Sequence, residues 1–435
     1  MILFGKSEAA IRMLSACLGI VSVVILYKIG CELFNRKIAV IASFLIAINA
    51  FVITHSQEAR QYSLLLLLTV VSFLYFIRIV EAEKVNKSHV FFYVISNILL
   101  CYTHIFGPFT IVCQVLYFLL FRRRYSEVRF VFWSAQAITL LFFLPWIFVL
   151  VAYTFPHIAD PNMFYVMPEL TVSWIAEIVA SISGPQYLWL PIAFVFVLIF
   201  FTLCLAGVFL PPRLLEKKRQ NKTIIRSKLA RILKSITEPR TALLLIWLIF
   251  PVVISLILSL TVTSLFLNRY LIGITPALYL LVAIGIYKID SFIRSYAPQI
   301  KVAYILIVLI TAISVQGLYT YYALPQKPQW REITDLIKQN YRPGDGIVVN
   351  EDLFSRSFYY YYLENPKIST QTGQIIGTEP SWIGKERVWL IFAFASRDLD
   401  VDYSLINDLV AQYGHGTQIM QEEYHLITVN VHLFD

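Results

Sequence analysis

A short polar stretch at residues 53–62 carries the side chains of this sequence that are best suited to chemistry. It reads ITHSQEARQY and lies between two strongly apolar runs, so that an imidazole, a carboxylate, a guanidinium and a phenol occur within eight residues. These groups belong to His55, Glu58, Arg60 and Tyr62. Polar groups at the edge of a hydrophobic segment cost little only where they reach water or each other. The stretch therefore predicts a polar site at one face of a membrane.

The types of these side chains indicate a site that binds an oxyanion and moves a proton. The planar guanidinium of Arg60 suits a phosphate, and Glu58 is the best candidate for a base, which could also orient Arg60 or an acceptor. Because the two residues are two positions apart, they diverge on a helix and reach one cleft only from an extended or turning segment. The alternatives are a local Glu58–Arg60 ion pair that anchors a helix end and, for Tyr62, an interfacial anchor. His55 is a further binding candidate.

Two other short segments offer binding groups of the same kind. Arg269, followed by Tyr270, is the only cation in its loop, so a phosphate is a suitable partner, with snorkelling to lipid headgroups as the alternative. His104 lies in a very short turn between two apolar runs and is either a ligand for phosphate or acceptor, or a cap of that turn. Asp160 and Glu177 are candidate carboxylates on the acceptor side. No cluster of His, Cys or Asp has the spacing of metal ligands, so we expect no obligatory metal.

The composition places these segments in a membrane protein. Of the 435 residues, 58% are hydrophobic and only 14% are charged, and the mean hydropathy is +0.69, whereas about a quarter of the residues in a soluble domain are charged. The five cysteines lie in or beside apolar runs without a CxxC pair, and we expect buried thiols. Ten runs predict membrane helices of roughly twenty residues. They lie at about 9–27, 38–53, 62–80, 89–104, 105–121, 128–152, 187–210, 241–263, 271–287 and 302–322.

The distribution of positive charge predicts the orientation of these helices. One set of loops carries 23 lysines and arginines, whereas the opposite faces carry four up to the last membrane segment. By the positive-inside rule the first set is cytoplasmic, which places the polar stretch, His104 and Arg269 on the outer face. Membrane topology thus explains the formal net charge of +9, and we expect no nucleic-acid partner.

The composition of the chain changes from apolar to polar after the last apolar run. This change predicts a membrane domain at residues 1–323 and a second domain at residues 324–435. The tail is polar, contains a Pro-Gly-Asp-Gly turn and has the alternating patterns of a small extracytoplasmic α/β domain. About 110 residues are enough for a core of its own. Helices are predicted at 330–340, 353–363 and 403–413, and strands at 346–350, 388–394 and 424–433. A further helix, lying on the membrane surface, is predicted at 170–181.

Several of these motifs together resemble a known family. They are the Ser-Gln-Glu-Ala-Arg-Gln-Tyr string at 56–62, the Tyr-Thr-His turn at 102–104 and the Asn-Arg-Tyr sequence at 268–270, which precedes residues 273–276. The chain resembles the GT-C glycosyltransferases, in the bacterial branch related to aminoarabinose transferase and the protein O-mannosyltransferases. The resemblance covers most of residues 4–322. It implies an α-helical polytopic membrane protein with about ten transmembrane helices.

The resemblance also implies an enzyme of a bacterial-type plasma membrane. Such enzymes take a sugar from a polyprenyl-phosphate carrier on the outer face and pass it to a lipid, glycan or protein, by direct displacement at the anomeric carbon and without a cofactor. An acidic residue deprotonates the acceptor, and basic and aromatic residues hold the carrier phosphate. We therefore expect Glu58 to be catalytic. The expected carrier and substrate ligands are His55, Arg60, Tyr62, His104, Arg269 and Tyr270.

The chain departs from the family in one respect. The chief catalytic acid of the family, an Asp often followed by Glu, lies in a first outer loop after a first membrane helix, and this sequence begins at what resembles the end of that loop. We expect either that the natural chain extends upstream or that it is a shortened relative in which Glu58 takes over. The rivals are a degenerate relative that binds its lipid-linked sugar without transfer, and a transporter. Polar clusters at the outer edge and the lack of an internal repeat favour the enzyme over a transporter.

Overall fold

The chain forms two compact units in its computed structural model, Met1–Thr320 and Tyr321–Asp435. The predicted helix at 353–363 and the candidate carboxylate Asp160 lie outside the residues that the structure describes. The described residues are 8–154, 171–185, 188–210, 238–261, 266–324, 329–349, 372–373, 386–395, 404–414, 416–423 and 427–434.

The first unit is a bundle whose helices follow the hydrophobic runs of the sequence. A π-helical turn at Leu150–Thr154 extends α7, and a 3-10 helix at Asn268–Ile274 leads into α11. The predicted class, an α-helical polytopic membrane protein, is confirmed. The helices are α1 (Glu8–Leu33), α2 (Arg36–Ala47), α3 (Ala50–Ser56), α4 (Tyr62–Val80), α5 (Lys87–Thr103), α6 (Gly107–Leu120), α7 (Arg129–Val149), α8 (Val172–Ser183), α9 (Leu190–Phe209), α10 (Pro239–Thr261), α11 (Thr275–Arg294) and α12 (Val302–Ala323).

Each of the ten apolar runs forms a helix or a bent pair of helices, but not every one is long enough to cross a membrane. In the described part of the chain, seven helices are long and apolar enough for a span, or eight if α2 and α3 form one broken span. The expected number of about ten is not reached because α5 and α6 have only 17 and 14 residues. At about 1.5 Å per residue, helices of this length are shorter than a hydrocarbon core of about 30 Å.

The bend between α2 and α3 brings the polar stretch to one end of the bundle. The two helices meet at 63°, where Asn49 interrupts the apolar run. The Asn49 side chain caps α3 by accepting a hydrogen bond from the Val52 N–H at 2.8 Å, a common role for asparagine. The same amide donates to the Tyr279 hydroxyl on α11 and to the Ile182 carbonyl on α8. One buried side chain thus ties α3 to two other helices.

Close packing of α9 against α11 depends on two glycines. A Cβ atom built on Gly285 would overlap with the carbonyl oxygen of Leu203, and one built on Gly207 would overlap with that of Leu281. Small residues allow helix backbones to approach each other in this way in membrane proteins. The two helices are therefore in direct backbone contact, which anchors α11 in the bundle.

A buried hydrogen-bonded network joins four helices in the interior. Gln114 on α6 donates to the Ser72 hydroxyl on α4 and accepts from the Tyr93 hydroxyl on α5, both at 2.7 Å. Ser72 donates to Asn97 at 2.5 Å, and Gln136 on α7 donates to the Tyr93 hydroxyl at 2.7 Å. Paired polar side chains hold helices together where lipid offers no hydrogen bonds. The network fixes the α5–α6 hairpin, whose turn contains a candidate site residue.

Ion pairs mark the other end of the bundle, next to the lysine- and arginine-rich loops. Arg78 donates two hydrogen bonds to Glu32, from Nε at 3.0 Å and from Nη2 at 2.6 Å. Glu81 accepts a hydrogen bond from the Tyr125 hydroxyl at 2.9 Å and pairs with Arg124 at 3.6 Å. Since Arg78 and Glu81 lie at the carboxyl end of α4 and the polar stretch lies at its amino end, the two polar regions occupy opposite ends of the bundle.

The second unit contains a five-stranded sheet in the order β2-β1-β3-β5-β4, parallel from β2 to β3 and antiparallel beyond. The predicted positions of α13, β1, β3, α14 and β5 agree with the structure. β2 and β4 were not predicted, because β2 has two residues and β4 is rich in Gln and Glu. The elements are α13 (Trp330–Asn340), β1 (Gly346–Val349), β2 (Thr372–Gly373), β3 (Val388–Ala395), α14 (Ser404–Tyr413), β4 (Thr417–Glu423) and β5 (Ile427–Phe434).

Apolar clusters cover both faces of this sheet. Trp389 and Ile391 of β3 share a cluster with residues of α13, whereas Val388 and Leu390 share another with Leu409 of α14. The alternation of strand side chains therefore fills two small cores. Because β3 is buried on both faces, its sequence VWLIFAFA is a continuous apolar run.

Candidate functional site

His55 and Glu58 form a pair where α3 ends. The helix ends at Ser56 with Gln57 as its C-cap, and side chains three positions apart at a helix end lie on the same side. Nδ1 of His55 is 3.1 Å from Oε2 of Glu58. The two side chains are only 10% and 15% exposed. Partial burial makes this interaction stronger than that of an ion pair on an open surface.

Glu58 and Arg60, by contrast, form no ion pair. Arg60 is exposed and has no salt-bridge partner in the part of the chain that the structure describes. The structure therefore shows neither expected contact: Glu58 does not orient Arg60, and the two side chains do not form a local ion pair. The physical reason is the turn after α3, which directs the Glu58 carboxylate back toward His55.

A row of rings, the aromatic row, extends from His55 to Tyr270. The ring centroids of His55 and Tyr62 are 5.2 Å apart, those of Tyr62 and His104 5.9 Å, and those of His104 and Tyr270 4.8 Å. These contacts are tilted or edge-on, as ring quadrupoles favour. The Arg269 guanidinium lies 5.7 Å from the Tyr270 centroid, within cation–π range. Three segments that are distant in sequence thus meet at one end of the bundle: the polar stretch, the turn with His104, and residues 269–270.

The turn between α5 and α6 holds the His104 imidazole in one orientation. Nδ1 of His104 accepts a hydrogen bond from the backbone N–H of Phe106 at 3.1 Å. Burial, followed by the positive charge of Arg269, lowers the pKa of His104 to about 4. The imidazole is therefore neutral near pH 7, and its proton is on Nε2 because Nδ1 is an acceptor. The turn-capping role is present, and it leaves Nε2–H free to bind a ligand.

Arg269 is positioned through the side chain of Asn268. This amide donates to the Ser181 hydroxyl on α8 at 3.0 Å and accepts from the backbone N–H of Arg269 at 2.7 Å. Nε of Arg269 is buried, and no described residue accepts a hydrogen bond from it. A buried donor without an acceptor costs about 1–3 kcal/mol, and such atoms are rare in folded proteins. An anionic ligand in contact with Arg269 would satisfy this donor.

Positive charge predominates around Tyr62. The charges of Arg269, Arg60 and Glu58 all act on the Tyr62 hydroxyl, so two cations and one anion lie near it. His104 adds no charge at neutral pH because it is not protonated. A partly buried site with this excess of positive charge favours an anion.

An open cavity of about 540 Å³ adjoins the polar stretch. Gln57 and Arg12 contribute polar groups to its wall. The remaining lining residues are small or apolar and belong to α1: Ala9, Ala10, Met13 and Ala16. Glu177 lies elsewhere, on α8, one helical turn before Ser181.

The described residues include no group of three or more His, Cys, Asp or Glu side chains arranged to hold a metal ion. All five cysteines are free. Cys101, Cys113 and Cys204 are buried as expected, whereas Cys17 is exposed and Cys31 is partly exposed. The expectation of buried thiols was wrong for Cys17, because α1 presents that side to the outside of the unit.

Sequence reasoning missed the residues that position the site. Asn49, Ser181, Asn268 and Tyr279 connect α3, α8, α11 and the 3-10 helix through side-chain hydrogen bonds. A signal was present for two of them, since Asn49 interrupts an apolar run and Asn268 directly precedes the lone arginine of its loop. Ser181 and Tyr279 lie in ordinary helical patterns, and nothing in the sequence distinguishes them.

Comparison with known sequences gives a match over the first part of the chain. The sequence profile of the dolichyl-phosphate-mannose-protein mannosyltransferase family matches residues 1–149. This range includes the polar stretch and the His104 turn, but not Arg269. No curated protein matches the chain in sequence.

Comparison with solved structures extends over nearly the whole chain. ArnT from Cupriavidus metallidurans in the apo state matches with a TM-score of 0.52 and 13% identity, over 98% of this chain and 85% of that chain. ArnT bound to undecaprenyl phosphate matches over the same shares, with a TM-score of 0.53 and 11% identity. The oligosaccharyltransferase of Archaeoglobus fulgidus has a TM-score of 0.45 and 14% identity, over 83% of this chain and 54% of that chain. At such identities, the ArnT structures show a shared fold.

Proposed function

Since this chain has the fold of the GT-C membrane glycosyltransferases, we propose that it transfers a sugar from a polyprenyl-phosphate carrier to an acceptor. The observation that carries this proposal is the buried Nε of Arg269, which has no acceptor among the described residues. A phosphate would supply that acceptor, and Arg60 would add a second positive charge. The likeness to ArnT bound to undecaprenyl phosphate and to the dolichyl-phosphate-mannose family supports a carrier of this class.

The reaction would be a single displacement at the anomeric carbon. The acceptor loses a proton and forms the new bond to C1, while the bond between C1 and the phosphate oxygen breaks. The polyprenyl phosphate leaves with the electron pair of that bond. Arg269 and Arg60 stabilise the charge that develops on the phosphate, and Glu58 is the carboxylate of the site that takes part in proton transfer.

We infer that the site faces the outer side of a bacterial-type plasma membrane. The inference rests on the lysines and arginines of the sequence, which are concentrated in the loops at the other end of the bundle. In this orientation the second unit is extracytoplasmic. The acceptor is then a lipid, glycan or protein available on that side of the membrane.

Binding of undecaprenyl phosphate to the purified full-length protein tests the proposed phosphate site. We expect the wild type in detergent to bind this lipid, as measured by native mass spectrometry. Arg269→Gln should bind about 10- to 100-fold more weakly, since a hydrogen bond to a charged group contributes about 1.5–3 kcal/mol. The matched control is Arg123→Gln, an exposed arginine in a loop at the other end of the bundle, which should bind as the wild type does.

Two results would contradict this proposal in different ways. If the wild type does not bind undecaprenyl phosphate, or if Arg269→Gln and Arg123→Gln bind it equally well, the phosphate site is wrong. A panel of undecaprenyl-phosphate-linked hexoses and pentoses, with native membranes as the acceptor source, tests turnover. Binding without release of undecaprenyl phosphate from any member would favour a protein that holds its lipid-linked sugar without transferring it.

A further inference from the structure

The two histidines of the candidate site have opposite hydrogen-bonding partners. Nδ1 of His55 faces a carboxylate oxygen of Glu58 at 3.1 Å. Nδ1 of His104 faces the backbone N–H of Phe106, also at 3.1 Å. A carboxylate only accepts hydrogen bonds and a backbone N–H only donates them. The same ring atom is therefore a donor in one histidine and an acceptor in the other.

This difference determines which ring nitrogen holds the proton when each ring is in its neutral form. In His55 the proton is on Nδ1, which leaves Nε2 as a bare acceptor. In His104 the proton is on Nε2, which leaves that atom as a donor. Nε2 of His55 has no hydrogen-bond partner among the described residues and is not one of the fully buried polar atoms. It is therefore accessible to a ligand in the site.

We propose that the two histidines divide the proton chemistry: His55, oriented by Glu58, accepts the proton of the acceptor at Nε2, and His104 donates a hydrogen bond from Nε2 to the departing phosphate. The proposal rests on the proposed function and changes the role of Glu58. The carboxylate becomes the group that fixes the tautomer of the base and balances the charge of the imidazolium that forms. His55 replaces Glu58 as the proton acceptor.

The transfer step balances with these roles. The acceptor O–H or N–H bond breaks, its proton moves to Nε2 of His55, and its electron pair forms the bond to C1 of the sugar. The bond from C1 to the phosphate oxygen breaks at the same time, and its electron pair leaves with the polyprenyl phosphate. His104 is near Arg269 and is separated from the His55–Glu58 pair by Tyr62 in the aromatic row. In this row the ring of Tyr62 lies between the base and the donor.

A packing role for His55 is the competing explanation. Its ring meets Phe51 edge-on at 4.6 Å and Tyr62 at 5.2 Å, contacts that a glutamine or a phenylalanine could replace in part. Packing alone does not require a carboxylate at Nδ1. The two explanations therefore differ in the tautomer of His55 and in the response of turnover to its removal.

The tautomers can be measured without any substrate. The full-length protein with 15N-labelled histidine, which has seven such residues, is studied by solid-state NMR in liposomes at pH 7.5. The wild-type signals of each ring are assigned by their loss in His55→Gln or His104→Gln. We expect the signals of His55 to be those of an Nδ1–H tautomer and the signals of His104 to be those of an Nε2–H tautomer. Glu58→Gln should convert His55 to a mixture of tautomers. The matched control is His89→Gln, at the opposite end of α5, which should leave both sets of signals unchanged.

The same tautomer at both histidines, or a doubly protonated His55 at pH 7.5, would overturn the proposal. Turnover gives an independent readout with the donor found in the undecaprenyl-phosphate panel. His55→Ala should lower kcat by about 10²- to 10⁴-fold, the usual contribution of a general base, with undecaprenyl phosphate affinity unchanged and partial rescue by added imidazole. Full activity of His55→Ala would refute the role of His55 and leave the proposed function standing. Failure of the wild type to bind undecaprenyl phosphate would instead remove the proposed function itself.

Discussion

Acidification should destabilise the folded protein through His104, and the magnitude follows from its surroundings. Burial and the charge of Arg269 lower the pKa of His104 to about 4, against about 6.5 in an unfolded chain. Because the folded pKa is the lower one, the unfolded state binds the proton first as the pH falls. The stabilising contribution of neutral His104 is complete above about pH 6.5 and is lost as the pH decreases toward about 4. Between pH 7.5 and 4.5 the loss is about 2.5 kcal/mol, at about 1.36 kcal/mol for each pH unit in this window.

The difference between the wild type and His104→Gln isolates this effect. Glutamine can still accept the hydrogen bond from the Phe106 N–H, but it does not titrate, and the other titratable groups are the same in both proteins. We expect the unfolding free energy in detergent, from chemical denaturation at pH 7.5 and at pH 4.5, to fall by about 2.5 kcal/mol more in the wild type. Arg269→Gln should reduce this difference, because it removes the second cause of the low pKa.

Parallel pH dependences of the wild type and His104→Gln would refute the reasoning. They would mean that the imidazole is solvated well enough to titrate alike in both states. An unchanged difference in Arg269→Gln would show that the guanidinium lies too far from the ring for its charge to lower the pKa of His104. Either result would also remove the support for His104 as a neutral hydrogen-bond donor.

Two further predictions concern the helices that carry the site. Gly285→Leu should lower the free energy of unfolding by about 3 kcal/mol or more, because the new side chain would overlap with the Leu203 carbonyl. Gly317→Ala should be tolerated, since a Cβ at this position has no neighbour closer than 3.8 Å. Equal thermal unfolding midpoints for the two variants would contradict the close contact between α9 and α11. Gln114→Leu should lower the free energy of unfolding by about 1–3 kcal/mol, because it leaves the buried Tyr93 hydroxyl without its acceptor. An unchanged unfolding midpoint would show that the hydrogen-bonded network does not contribute to stability.

The hydrophobic runs predicted where the helices lie because a long apolar segment in a membrane must satisfy its backbone hydrogen bonds internally. They did not predict the bend at Asn49 or the shortness of α5 and α6. The bend depends on partners far away in sequence, because the Asn49 amide binds Ile182 and Tyr279, which are 133 and 230 positions away. In the second unit, β4 was missed because its sequence TQIMQEE lacks an apolar alternation and becomes a strand by pairing with β5.

Residue types selected candidate residues that the structure brings together, but they did not predict the pairing among them. The spacing of Glu58 and Arg60 was compatible with a contact in a turning segment, but the two side chains form no ion pair although the helix ends before them. His55 is three positions before Glu58, and this spacing brings side chains together at a helix end. The backbone of Arg269 is held by Asn268, whose side chain also contacts α8, and no local pattern contains this relation between distant segments.

The distribution of charge explains why the site remains suited to an anion. A carboxylate paired with Arg269 or Arg60 would compete with a phosphate for the same donors, but no ion pair joins Glu58 to either arginine in the described structure. Glu58 instead faces His55, and neutral His104 can donate a hydrogen bond without adding a charge that would repel Arg269. An anion bound at Arg269, as proposed above, would recover the cost of leaving its buried Nε without an acceptor. On this reasoning, placing a carboxylate within reach of Arg269 should stabilise the free protein while weakening the binding of undecaprenyl phosphate.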